Sequence, residues 1–220
     1  MKPSAKPRRA ALAALLAAMV LAGCAAPGGR QDAPDETIDP EESVVGDAGQ
    51  TVEERYLEAL DLMRRNQFDD ARAAFEALAE DAPDASGPPT NLGILQLRAK
   101  RLPEARTALK RAVDINPANA VAWNELGRTE RQLDNAEAAR DAYQQAIALD
   151  ETLAEAHLNL GLVLDQPLND AQGALTHYRR YLELSGGDDL RVLVWIAELE
   201  QQADAATEAA EATESEAPSP

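Results

Sequence analysis

Between about residue 52 and residue 202, apolar residues recur at intervals of three and four positions. The stretch around Trp123 and Leu126 shows this spacing, and so does the later stretch from Ala139 to Ile147. Such spacing places the apolar side chains on one face of a helix. The pattern therefore predicts an all-α region built from successive amphipathic helices.

The helical pattern repeats with a period of 34 residues. An alanine marks each copy, and the fourth copy is one residue late: Ala71, Ala105, Ala139 and Ala174. Four positions after each alanine stands a larger apolar residue: Phe75, Leu109, Tyr143 and Tyr178. Leu-Gly pairs precede three of the alanines at residues 92–93, 126–127 and 160–161. Small residues such as Gly127 and Ala139 predict that two helices of each copy pack closely together.

This period and residue order resemble the tetratricopeptide repeat, a helix-turn-helix unit that stacks into a solenoid. The resemblance implies four repeats, over residues 52–85, 86–119, 120–153 and 154–188. Residues 189–202 are expected to form a capping helix that shields the last repeat. Its expected apolar face consists of Leu190, Leu193, Val194, Ile196, Ala197 and Leu199.

Residues 1–23 are predicted to be a lipoprotein signal peptide. Four basic residues precede an apolar run from Ala10 to Ala22 that is too short to span a bilayer. The following Leu21-Ala22-Gly23-Cys24 resembles the bacterial lipobox, which implies lipidation at Cys24, for example with palmitate. Since Ala25 rather than aspartate follows, the resemblance to Gram-negative sorting implies an outer-membrane anchor that faces the periplasm. An ordinary secretory peptide with a chance cysteine is the alternative.

The chain is strongly acidic, with a formal net charge of −18 that becomes four charges more negative once the signal peptide is removed. Such a charge disfavours binding to nucleic acid and leaves the acyl chains as the expected contact with the membrane. Residues 24–51 are predicted to be a disordered acidic tether, because they are rich in acidic residues, Pro, Gly and Ala. Residues 203–220 are predicted to be a disordered acidic tail. A tail that docks on a basic partner remains open.

The surface formed by the first helices of the repeats is the candidate partner-binding site. By resemblance to the family, its inward positions form a concave groove for a protein or peptide partner. The arginines predict that the groove accepts an acidic segment, and the asparagine amides can bond to an extended backbone. A structural role for the asparagines and arginines competes with this interpretation. The candidate residues are Tyr56, Arg64, Asn91, Arg98, Asn124, Arg128, Arg131 and Asn159. The carboxylate clamp of chaperone-binding members is not expected, since Tyr56 and Leu60 occupy its positions.

No constellation typical of an enzyme is present in the sequence. The chain lacks a glycine-rich phosphate loop, an HExxH motif and a serine nucleophile elbow. Packing explains His157 and His177 before metal binding does, because His157 occupies the repeat position that holds Trp123 in the preceding repeat. We therefore expect no catalytic residues, no cofactor, no metal site and no small-molecule substrate.

Together these features predict a membrane-anchored interaction scaffold in the periplasm. The layout resembles the pilotin-like tetratricopeptide lipoproteins that help assemble type IV pilus secretins. An adaptor for a periplasmic protease, or a regulator of peptidoglycan synthesis, is the alternative.

Overall fold

The computed structural model describes the backbone of residues 49–215 and the side chains of residues 49–208. The predicted signal peptide, Cys24 and nearly all of the predicted tether lie outside these residues. Within the described backbone there are nine helices and no strand. They are α1 (Val52–Arg64), α2 (Phe68–Asp81), α3 (Gly87–Arg98), α4 (Leu102–Ile115), α5 (Ala120–Gln132), α6 (Ala136–Leu149), α7 (Ala154–Asp165), α8 (Ala171–Ser185) and α9 (Leu190–Ser215). The all-α repeat architecture is confirmed.

Helices α1 to α8 form four consecutive pairs, and each helix packs against the next along the chain. The turn inside each pair contains one residue with a left-handed backbone, at φ values of 53° to 62°: Asn66, Lys100, Asp134 and Asn169. Three of these turns have three residues, whereas the turn from Gln166 to Asp170 has five. The longer turn accounts for the one-residue delay of the fourth copy.

Side chains at the helix starts satisfy backbone groups that the helices leave unpaired. Thr51 and Glu54 form a reciprocal capping box at the start of α1, with bonds of 2.8 and 3.2 Å. Asn119 Oδ1 accepts from the Ala122 amide at the start of α5. Helix α3 begins at Gly87, because the prolines that follow suit the first helical turn.

The repeated alanines and the larger residues that follow them form the core. All eight of these side chains are fully buried. The glycine of each Leu-Gly pair lies against the larger residue of the same repeat. A Cβ added at Gly127 would lie 2.6 Å from the Tyr143 ring, and one at Gly161 would lie 2.6 Å from the Tyr178 ring. Close approach of the paired helices therefore depends on glycine at these positions.

The last helix, α9, packs on the fourth repeat with a face that differs from the predicted one. Val192, Ile196 and Leu199 are buried, and the Trp195 and Tyr178 ring centroids lie 5.5 Å apart. Leu190, Leu193 and Val194 are exposed, so their assignment to the packed face was wrong. The helix carries two overlapping apolar stripes, and the one that contains Trp195 fits against Tyr178.

Helix α9 also continues past the predicted end at Gln202 as far as Ser215. Residues 200–208 of the helix are exposed, so packing does not hold this part. Its alanines and glutamates have high intrinsic helix propensity, which explains the extension into the predicted tail. None of the helices in the described part of the chain combines the length and apolar character needed to cross a membrane.

Candidate partner-binding groove

The first helices of the four pairs, α1, α3, α5 and α7, lie side by side, with α3 against α5 and α5 against α7. The surface that they form is called the groove below. All eight candidate residues predicted from the sequence lie on these helices. Tyr56 and Arg64 lie on α1, Asn91 and Arg98 on α3, Asn124, Arg128 and Arg131 on α5, and Asn159 on α7.

Amide side chains link neighbouring first helices across the groove. Asn91 Nδ2 donates to the Tyr56 hydroxyl at 2.7 Å and to the Gly87 carbonyl at 3.1 Å. Asn159 Nδ2 donates to Asn124 Oδ1 at 3.2 Å. Asn124 is buried and donates in turn to Glu125. These asparagines therefore connect repeats as well as lining the groove, and their role in partner binding stays a prediction.

Glu125 is a buried carboxylate that the sequence analysis did not single out. Burial raises its pKa, while the Arg128 guanidinium, which donates to both carboxylate oxygens at 2.9 and 2.7 Å, opposes the shift. Arg128 was expected to be available to a partner, but this ion pair engages it. The spacing of three residues between Glu125 and Arg128 was the available signal, since residues i and i+3 meet on a helix surface.

Three other candidate arginines are exposed at the ends of successive first helices. Arg64, Arg98 and Arg131 occupy the last or next-to-last position of α1, α3 and α5. Among the described residues, no carboxylate lies within ion-pair distance of these three guanidiniums, whereas nine other arginines have such partners. These three residues are called the arginine row below.

The members of the arginine row are held by different contacts. The Arg98 guanidinium lies 4.0 Å from the centroid of the Phe68 ring, in a cation–π arrangement. Arg64 Nε donates to the Leu60 carbonyl at 3.4 Å. Arg131 lines a recess of about 900 Å³ together with Asp165 and with Leu199 and Gln202 of α9. The row is thus a set of positioned cations that remain accessible to solvent.

Arg131 also influences a buried tyrosine beneath the groove. Burial raises the pKa of Tyr143 to about 12, and the positive charge of Arg131 opposes this shift. The Tyr143 hydroxyl has no hydrogen-bond partner among the described residues. In the fourth repeat, the corresponding Tyr178 hydroxyl donates to Asp165 at 3.3 Å. Burial, and then the Asp165 charge, raise the Tyr178 pKa.

The two histidines form a direct pair between α7 and α8. His157 Nδ1 and His177 Nδ1 lie 3.0 Å apart, and His157 Nε2 lies 3.2 Å from the Glu151 carbonyl oxygen. The second contact requires a proton on His157 Nε2, so His177 Nδ1 must donate to His157 Nδ1. Burial lowers the pKa of both rings. Protonation of His157 Nδ1 would place two N–H groups against each other and break the bond.

Two family models match the chain. The model described as "Tetratricopeptide repeat" matches residues 56–120, and the model described as "TPR repeat" matches residues 127–166. Both matches fall on the helix pairs described above. The chain is a tetratricopeptide-repeat protein.

Solved tetratricopeptide-repeat structures share this fold. The crystal structure of the MamA protein superposes with a TM-score of 0.62 at 25% identity, covering 73% of this chain and 87% of MamA. PilF of Pseudomonas aeruginosa also gives a TM-score of 0.62, with 73% of this chain and 72% of PilF covered. At 18% identity the PilF match shows the fold alone.

Among curated proteins, the peroxisomal targeting signal receptor of Candida albicans is 34% identical over 71 residues. The match covers 32% of this chain, and the chain spans only 12% of the length of that relative. Tetratricopeptide-repeat proteins are typically non-catalytic scaffolds. Within the described residues, no group of three or more His, Cys, Asp and Glu side chains is placed to hold a metal ion.

Proposed function

We propose that this tetratricopeptide-repeat protein is an envelope scaffold that binds an acidic segment of a partner protein in its groove. The arginine row carries this proposal. Three exposed guanidiniums at corresponding helix ends are without carboxylate partners in a chain of net charge −18. Guanidinium groups bind carboxylates strongly and with defined geometry, so the row suits an extended acidic peptide.

The groove also offers polar groups for a peptide backbone. The amide groups of Asn91 and Asn159 use their nitrogen atoms in the contacts described above. Their Oδ1 atoms accept no hydrogen bond from any described residue, so they can accept from a peptide N–H. The matched relative from Candida albicans is named as a receptor for a targeting signal, which supports peptide recognition by repeats of this kind.

The anchoring of the scaffold rests on Cys24 and its lipobox. In this proposal, acyl chains on Cys24 hold the protein in the outer membrane and the repeats face the periplasm. Replacing Cys24 with Ala is expected to abolish labelling by a fatty-acid analogue and to release exported protein from the membrane fraction. Labelling that persists in Cys24→Ala would rule out this anchor.

Assembly of an envelope complex, such as a type IV pilus secretin, is the process that the resemblance to pilotin-like lipoproteins favours. A deletion strain is then expected to lose secretin multimers and twitching motility. Intact multimers together with altered muropeptides or altered protease substrates would instead favour the role in peptidoglycan synthesis or proteolysis.

Site-specific photo-crosslinking tests the groove directly. A crosslinker in place of the half-buried Leu162 on α7 is expected to capture the partner in intact cells. The same crosslinker at the exposed Lys110 on α4, a second helix, serves as the control. Capture at Lys110 but not at Leu162 would place the partner on another face.

A further inference from the structure

One position is occupied differently in each of the four repeats. The fourth residue of the repeats is Arg55, Pro89, Trp123 and His157 in turn. In the third repeat, Trp123 packs against the cluster that contains Leu126 and Ala142, and its Nε1 donates to the Pro117 carbonyl at 2.9 Å. The proline of the second repeat is much smaller than this indole.

The second repeat has an open cleft at this position, between α3 and α4. It has a volume of about 360 Å³ and is lined mainly by apolar atoms. Leu92 and Ala108, which line it, correspond to Leu126 and Ala142 beside Trp123. The other lining residues are Pro89, Gln96, Pro103, Glu104, Thr107 and Arg111. None of them belongs to the predicted groove site.

A buried acceptor without a partner lies in the wall of this cleft. Gln96 is only 7% exposed, and its Oε1 accepts no hydrogen bond from the described residues. Leaving such a group unpaired is unfavourable, so a donor that reaches it is bound more tightly. The cleft thus combines an apolar lining with one requirement for an N–H or O–H donor.

We infer that this cleft, called the α3–α4 cleft, binds a tryptophan side chain of a partner protein, with the indole N–H donating to Gln96 Oε1. An indole is a flat apolar group with a single donor, which matches both properties of the cleft. The third repeat fills the corresponding space with the indole of its own Trp123. The site is separate from the arginine row and gives the protein a second contact surface.

The indole must come from another molecule. The chain contains two tryptophans, Trp123 and Trp195, and both already pack within the repeats. Residues 1–48 contain no aromatic residue, so the N-terminal part of the sequence cannot supply an indole.

Titration of the isotope-labelled full chain with indole and with 1-methylindole tests the inference. Indole is expected to shift backbone amide resonances of α3 and α4 selectively and to bind about fivefold more tightly than 1-methylindole, which lacks the donor. Equal affinity for the two probes would overturn the role of Gln96. Absence of shifts in α3 and α4 up to the solubility limit would overturn the site.

Two variants sharpen the result. Gln96→Leu is expected to abolish the preference for indole while 1-methylindole still binds, whereas Gln145→Leu, an exposed position on α6, should keep the preference. Pro89→Trp supplies the residue of the third repeat and is expected to fill the cleft and block both probes. Retained preference in Gln96→Leu, or unchanged binding in a folded Pro89→Trp protein, would contradict the inference.

Discussion

The third and fourth repeats have the same apolar packing but different polar groups. In both, a glycine on the first helix lies under a fully buried tyrosine on the second, Gly127 under Tyr143 and Gly161 under Tyr178. In both, a small alanine four residues before the tyrosine is fully buried. The shared contacts therefore define the fold, and the differences between the repeats indicate where function lies.

The polar differences lie along the groove. The third repeat has the pair Glu125 and Arg128, where the fourth has Asn159 and Leu162. The third repeat places Arg131 in the region where the fourth places Asp165, the partner of the Tyr178 hydroxyl. The arginine row thus ends at the third repeat, which limits the predicted acidic contact to repeats one to three.

The largest effect is expected from enlarging the shared glycines. Gly127→Leu and Gly161→Leu should each lower the free energy of unfolding by about 3 kcal/mol, because the first added carbon would already overlap a tyrosine ring. Chemical denaturation followed by circular dichroism measures the loss. Ala138→Leu, at an exposed position of α6, is the matched control and should change stability by less than about 0.5 kcal/mol. Equal stability of Gly127→Leu and the control would contradict the shared packing.

A smaller effect, specific to the third repeat, is expected at the ion pair. Arg128→Ala should cost about 1–3 kcal/mol, because it leaves the buried Glu125 carboxylate without its cation. Arg140→Ala removes a more exposed pair with Asp141 and should cost no more than about 0.5 kcal/mol. Adding Glu125→Gln to Arg128→Ala should recover part of the loss. A double variant that is no more stable than Arg128→Ala would argue against an unpaired carboxylate as the cause.

A pH effect is expected only from the fourth repeat. The folded protein holds the pKa of His157 and His177 below the ordinary histidine value. The unfolded chain therefore binds more protons between the two values, and stability falls as the pH drops below about 6.5. Denaturation midpoints between pH 8 and pH 5 measure this loss. The variant His157→Gln should reduce the pH dependence, and an unchanged profile would exclude the pair as its source.

The fold was predictable from the sequence because the residues that determine it recur every 34 positions. The buried alanines, the glycines and the larger apolar residues each meet the same neighbour in every repeat. The packed face of α9 was not predictable in this way, because no further repeat shows which of its two apolar stripes meets Tyr178. The third helix start at Gly87 was missed by two residues for a local reason, the tolerance of prolines in a first turn.

The candidate site was predictable in its position but not in its state. Periodicity placed all eight residues on the first helices, where the structure has them. It could not show that Arg128 is paired, because the burial of Glu125 depends on packing between repeats. It also could not show the α3–α4 cleft, which exists only because Pro89 leaves space that Trp123 fills in the next repeat.

The most direct test of the groove reverses two charges of the arginine row. Arg98→Glu with Arg131→Glu should change the free energy of unfolding by less than about 0.5 kcal/mol, because both side chains are exposed. Capture of the crosslinked partner should nevertheless be lost, and wild-type capture should weaken as salt rises. Lys110→Glu with Arg140→Glu makes the same change of charge on second helices and should bind normally. Capture that survives the row reversal but is lost when residues 203–220 are removed would contradict the groove and place the site at the acidic end.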